Sequence, residues 1–269
     1  MTYPGGKAGS GVYQQIINRI PPHEIYVEPF LGGGAVLRMK RAASKSIAMD
    51  IDLDVIKTFD QGTAPNLTLL VGNALQWLKL QKFTSSTFIY IDPPYLMTTR
   101  RGRRKIYASE LCEDDHIRLL KTIQTLPCMV MISGYTSELY DDALSSWCTD
   151  YFRTTNRRGT RTIERLWMNY PKPTRLHDYR YLGNNFRERE RIKRKKNRWI
   201  RKLLTMPDPE RYALAAAIDE VDALGQHHHK DRSAPAHQTT TSCVPGGLQD
   251  HNILCPRDPI AEDNGTRSP

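Results

Sequence analysis

FIYIDPPY, residues 88–95, begins as a buried strand and ends as something a strand does not contain. Its first half is a short run of apolar, β-branched and aromatic residues, the composition of a parallel strand covered on both faces. Its second half is an acid, two prolines and a tyrosine, and proline cannot continue a ladder because it has no N–H to donate. An acid and two stiffening residues at the carboxyl end of a strand stand where α/β sheets gather their ligands. The run predicts a strand that leads directly into a site.

Similar runs flank it on both sides: EIYVEPF (24–30), SIAMDID (46–52), LTLLVGN (67–73), CMVMISGY (128–135) and ERLWMNY (164–170). Between them GAVLRMKRAA, LDVIKTFDQ, LQWLKLQ and DDHIRLLKTIQTL carry apolar residues at three-to-four spacing. Strands alternating with helices predict an α/β domain over residues 1–175, Rossmann-like, with a mostly parallel sheet and helices on both faces. Several runs end in conspicuous residues, EPFLGGG, MDID, VGN, DPPY and SGY, which the sheet would bring to one rim.

The chain then changes character. NNFRERERIKRKKNRWIRKLL, residues 184–204, has ten basic residues against two acidic ones and no Gly or Pro. Phe186, Ile192, Trp199 and Leu203 form only a narrow apolar stripe, so the segment reads as a long, largely exposed basic helix. MPDPERYALAAAIDEVDAL (206–224) reads as a second helix, with Asp208 as a cap and Pro209 in the first turn. Together 184–224 form a basic helical extension. Residues 226–269 lose periodicity, fill with His, Ser, Thr, Pro, Asp and Gly, and read as a disordered tail.

Composition narrows the function classes. The 269 residues are 39% hydrophobic, enough for one good core and an appendage. The net charge is +10 and the pI about 9.4, which points to a polyanionic partner. No stretch is apolar enough to span a bilayer, and the sequence opens on MTYPGGK without a leader, so a soluble, cytoplasmic protein is expected. Five scattered cysteines without a CxxC pair argue against disulfides and against a metal centre. HHH at 227–229 lies in a polar segment without carboxylates at useful spacing and reads as a solvated loop.

The motifs themselves suggest chemistry. EPFLGGGAV joins a strand to a helix through a glycine turn, where backbone can approach a ligand closely. It matches neither the spaced GxGxxG of dinucleotide sites nor a P-loop. Asp50 ends the next strand about twenty residues on, where an acid can hold ribose hydroxyls; Asp52 competes for that role, and either could simply cap a helix. Asp92 can accept a hydrogen bond from an exocyclic amine, the carbonyl of Pro93 can accept another, and Tyr95 offers a flat face for a purine. Such a pocket suits an extruded adenine.

YPGGK (3–7), EPFLGGG (28–34), MDID (49–52) and DPPY (92–95), in that order, resemble the N6-adenine DNA methyltransferases of the Dam type over residues 3–170. The resemblance implies S-adenosylmethionine as cofactor, held by Tyr3, Lys7, Glu28, Pro29, Phe30, Gly32, Asp50 and Asn73, with Asp92 at its edge. It implies Asp92, Pro93 and Tyr95 as the catalytic set that holds the target base. Direct methyl transfer to N6 then needs positioning and electrostatics but no metal. A base within a duplex must be flipped to reach such a pocket.

This chain departs from the family at two points. Asn73 stands where an acid is usual, and only about sixty residues separate EPF from DPPY, too few for the usual target-recognition insertion. The compact form resembles enzymes carried by phages and mobile elements. DNA contact is therefore expected from LMTTRRGRRKIYASE, through Arg100, Arg101, Arg103, Arg104 and Lys105, and from the basic helix, through Arg194, Lys195 and Arg198. Tyr107 in that loop could stack or wedge. An RNA adenine methyltransferase and a non-catalytic nucleic-acid-binding module are the alternatives, and the oligomeric state is not readable.

Overall fold

A computed structural model of the chain describes residues 6–9, 11–59, 62, 64–100, 109–155 and 161–231. Its centre is the strand announced by FIYI: β4 (Thr87–Ile91) follows β1 (Ile25–Glu28), β2 (Lys45–Asp50) and β3 (Leu67–Val71) in chain order and is buried at every position. β5 (Met129–Gly134), β6 (Cys148–Thr155) and β7 (Arg161–Met168) complete a sheet of order β3-β2-β1-β4-β5-β7-β6. The first five strands are mutually parallel, and β7 runs antiparallel to both β5 and β6. The order reverses between β1 and β4, which opens a crevice at their carboxyl ends.

Alternation along the strands sends side chains into two separate cores. Tyr26, Phe88, Tyr90, Met131 and Leu166 pack on one face with α1 (Val12–Ile17), α2 (Ala35–Met39) and α3 (Leu53–Thr58). Val27, Ile89, Ile91, Ile132 and Trp167 pack on the other with α4 (Ala74–Leu80), α5 (Glu113–Gln124) and α6 (Glu138–Ala143). This is the doubly covered, mostly parallel sheet that the apolar runs predict. Short polar caps start the helices: Asp52 accepts from the Asp54 N–H at α3, Asn73 from Gln76 at α4, and Ser137 from Tyr140 at α6.

Several elements differ from the sequence reading, and α1 and α6 stand outside the expected helices. β6 falls outside the expected strands, because CTDYFRTT carries no apolar run longer than Tyr151 and Phe152, as suits a strand at the sheet edge. α2 stops at Met39, before the RAA that its periodicity suggested, where Lys40 turns to an extended conformation.

Contacts divide the chain into two compact units, Met1–Thr205 and Met206–Pro269. The first ends with α7 (Phe186–Leu204), capped by the Asn185 side chain on the Glu188 N–H. α7 has no buried residue, and Phe186 and Trp199 of its narrow stripe are 68% and 47% exposed, so it is a solvated basic helix. The second unit, as described, is α8 (Asp208–Asp231), which runs past Gly225, where the sequence suggested that order ends. The rest of the segment 226–269, and the side chains of His227, His228 and His229, lie outside the described residues.

Among the described residues no helix is long and apolar enough to cross a membrane. No cluster of His, Cys, Asp and Glu there could hold a metal ion, and Cys112, Cys128 and Cys148 are unpaired.

Candidate active site

The glycine turn after β1 builds one wall of the crevice. Gly32 and Gly34 have φ of 48° and 58°, a region that side chains rarely enter. A Cβ on Gly34 would also sit 2.3 Å from the ring of Phe59 and 2.9 Å from Leu31, so only glycine lets the chain turn this tightly into α2. Asp50, at the end of β2, ties the turn down: its Oδ2 accepts the Gly32 N–H at 2.8 Å and its Oδ1 the Asp52 N–H at 3.0 Å. Burial raises the Asp50 pKa although these backbone bonds oppose the shift. Asp52 serves as the α3 cap, leaving Asp50 as the acid that faces the crevice.

The cleft is lined by Glu28, Phe30, Gly32, Asp50, Asn73 and Asp92, among others. Glu28 is 3% exposed and accepts from the Tyr26 hydroxyl at 2.7 Å. Burial pushes its pKa up to about 8, and the nearby Asp92 adds to the rise. A buried acid that resists ionisation, beside bare glycine backbone, suits a ligand that brings positive charge. Asn73 presents its amide at the cleft while capping α4.

At the cleft's inner end the DPPY residues meet a network from across the molecule. Asp92 leaves β4 with its Oδ1 accepting from Lys7 Nζ at 2.8 Å and from Ser133 Oγ, at the end of β5, at 2.7 Å. Lys7 Nζ also reaches the Tyr95 hydroxyl at 2.7 Å and Glu164 Oε2 at 3.2 Å, while Tyr95 donates to the same Oε2 at 2.5 Å. Burial alone would lower the Lys7 pKa, but Asp92 and Glu164 outweigh it and raise the value well above the usual lysine range. Asp92 is also raised, first by burial and then by Glu164, against the pull of Lys7.

Several expectations are corrected here. Tyr95 is no open platform for a base: it is 8% exposed, its hydroxyl is held between Lys7 and Glu164, and its ring stands edge-on to Tyr135 at 4.8 Å. Arg100 is no surface phosphate ligand either. It is 7% exposed, its guanidinium pairs with both carboxylate oxygens of Glu110 at 2.8 and 2.7 Å, and it donates to the Tyr95 carbonyl. Arg101, Arg103, Arg104, Lys105 and Tyr107, like Tyr3, lie outside the described residues. Arg194, Lys195 and Arg198 are exposed on α7. Pro29 and Pro94 line the cleft, and Pro93 is buried beside it.

Glu164 is the site residue that sequence reasoning missed. The signal was present: in β7, Glu164, Leu166 and Met168 alternate onto one buried face, and a carboxylate on an apolar strand face needs a partner. Its Oε1 takes the Thr154 hydroxyl of β6 at 3.2 Å.

A seven-stranded, mostly parallel sheet of this order, with a glycine turn, a strand-end acid and a cleft at the point of reversal, has the Rossmann-like fold that the sequence predicts. Residues 3–76 match the family model of the D12 class N6 adenine-specific DNA methyltransferases. DPPY lies beyond the matched segment.

Solved structures similar to the chain include a precorrin-8w decarboxylase from Methanobacterium thermoautotrophicum, 15% identical over 63% of this chain and 94% of that one, with a TM-score of 0.42. A dimethyladenosine transferase from Plasmodium falciparum is 14% identical over 58% and 60%, TM-score 0.38. An S-adenosylmethionine-dependent methyltransferase from Methanosarcina mazei is 10% identical over 57% and 95%, TM-score 0.38. Likenesses this distant carry no argument about function. None of the curated proteins matches the chain.

Proposed function

We propose that the chain methylates the N6 nitrogen of adenine in DNA. The observation that carries this reading is that Asp92, the acid of DPPY, stands at the inner end of the same cleft that Asp50 and the glycine turn shape for the cofactor. S-adenosylmethionine, when bound, supplies a methyl group on a positively charged sulfur. Gly32, Asp50, Asn73 and Glu28, which line the cleft, would hold it.

The target amine is a weak nucleophile because its lone pair is delocalised into the ring. In the reaction the N6–C bond forms, the S–C bond breaks and N6 gives up a proton. Asp92 accepts a hydrogen bond from the amine and then that proton, a step favoured by the burial that already raises its pKa. The Pro93 carbonyl is the second acceptor. Ser133 and Lys7 both bond to Oδ1 of Asp92, which fixes the carboxylate and leaves Oδ2 to face the amine.

Duplex DNA would have to extrude the base, at a cost of a few kcal/mol. The exposed basic face of α7, with Arg194, Lys195 and Arg198, supplies phosphate contacts that offset it. Transfer from labelled S-adenosylmethionine to unmodified duplex DNA, single-stranded DNA and RNA, followed by nucleoside analysis, tests the proposal. N6-methyladenine in DNA is the expected product. Label confined to RNA would overturn the substrate while keeping the chemistry, and no label anywhere would leave a nucleic-acid-binding module.

A further inference from the structure

We propose that Glu164 is a positioning residue of the transfer reaction, the second carboxylate of the Lys7–Asp92 pair, which holds Lys7 and Tyr95 in place and leaves the target pocket with a net negative charge. This inference rests on the reading of Asp92 as acceptor for the target amine.

The geometry carries it. Lys7 Nζ bridges Asp92 and Glu164 at 2.8 and 3.2 Å, and its side chain is 5% exposed. With Asp92 alone, Lys7 would make a neutral pair, and a neutral pair offers little to a positive charge developing on N6. Glu164 adds the further negative charge in a water-poor site, where fixed charges act strongly. Glu164 also receives the Tyr95 hydroxyl at 2.5 Å, so the same carboxylate fixes the residue that closes the DPPY turn. Thr154 pins its other oxygen at 3.2 Å, which makes the carboxylate a rigid fixture of the β6–β7 hairpin.

Burying two acids around one lysine carries a desolvation cost that their attraction to Lys7 must offset. A purely structural role would be met by a glutamine, which can still accept from Tyr95 and Lys7.

The test compares wild type, Glu164→Gln and Glu164→Asp, with folding checked by thermal melting. Glu164→Gln is expected to lower kcat by about 10²-fold, the scale of removing one preorganised electrostatic partner, with the KM for S-adenosylmethionine unchanged. Its acid limb in the pH profile of kcat should move down, because the charge of Glu164 helps to hold the Asp92 pKa up. The other groups around this pair are Tyr26 and Glu28 of β1, Tyr90 of β4, Tyr95, Tyr135 after β5 and Tyr140 of α6; all remain in the variant. Glu164→Asp should recover part of kcat and the wild-type limb.

A second readout needs no substrate: the pH dependence of Lys7 modification by an amine-acylating reagent, read by mass spectrometry. Lys7 should become reactive at lower pH in Glu164→Gln. An unchanged Lys7 profile overturns the inference whether or not any nucleic acid is methylated. Equal kcat and an unmoved limb in an active wild-type background overturn it too, whereas a wild type inactive on all substrates overturns the proposed function instead.

Discussion

The proposed chemistry rests on single residues, first among them Asp92, the acid of DPPY. Replacing Asp92 with Asn keeps the shape but removes the proton acceptor, and a loss of at least about 10²-fold in kcat is expected, with S-adenosylmethionine still bound in a calorimetric titration. Intact transfer would move the acceptor role elsewhere. Glu28 gives a second prediction at this scale. Its folded pKa, about 8, lies above the ordinary value of 4.5, so the folded state holds a proton that the unfolded chain releases between those values. Stability from this group is full below pH 4.5 and is lost as the pH rises towards 8. Thermal melts from about pH 5 to 9 should fall with pH, and Glu28→Gln should flatten the fall; an unchanged slope would assign it to another group. DPPY, the glycine turn and the acid at Asp50 were legible because each is a local pattern with a local cause. The partner of Lys7, the burial of Arg100 and the enclosure of Tyr95 were not, since each depends on a residue brought in from a distant strand or loop.

At the level of elements, the strands β1, β2, β4 and β5 were visible as apolar runs because both of their faces are covered, and β3 because its leucines pack at the sheet edge although none is fully buried. The wet edge of β6 hid it. Gly34 is where strand, turn and helix are joined most tightly, and Gly34→Ala combines a positive φ with a methyl group that must displace Phe59. A loss of at least about 1 kcal/mol of stability is expected from denaturant unfolding, together with weaker cofactor binding, because the turn that carries both would shift. Full stability in the alanine variant would mean that the turn is more tolerant than its geometry. The exposed α7 makes a different kind of prediction. Substituting Arg194, Lys195 and Arg198 by alanine should reduce the slope of log K against log salt for duplex DNA by roughly 0.9 for each phosphate that is no longer neutralised, without altering the melting temperature. An unaltered slope would make α7 a solvated face and nothing more.

The whole molecule brings the site together from residues 7, 28, 50, 73, 92, 133 and 164, so no single segment contains it. Trp167 is fully buried in the core beneath this assembly, and Trp167→Ala should cost about 3–5 kcal/mol in unfolding free energy. The same substitution should weaken transfer through displaced neighbours, since Trp167 pairs with Ile132 one position before Ser133. The direction of β7 has a consequence in time as well as in space. Because that strand returns antiparallel, it delivers Glu164 to the rim where the parallel strands end. Chains are synthesised from the amino terminus, and domains fold as they emerge. The cofactor wall and the acid at Asp92 therefore leave the ribosome well before the carboxylate that completes their network. A polypeptide interrupted before β7 would carry the motifs on which the proposed activity rests and lack the strand that finishes the site, so competence for the proposed transfer is conferred late, by one of the last strands of the sheet to be made.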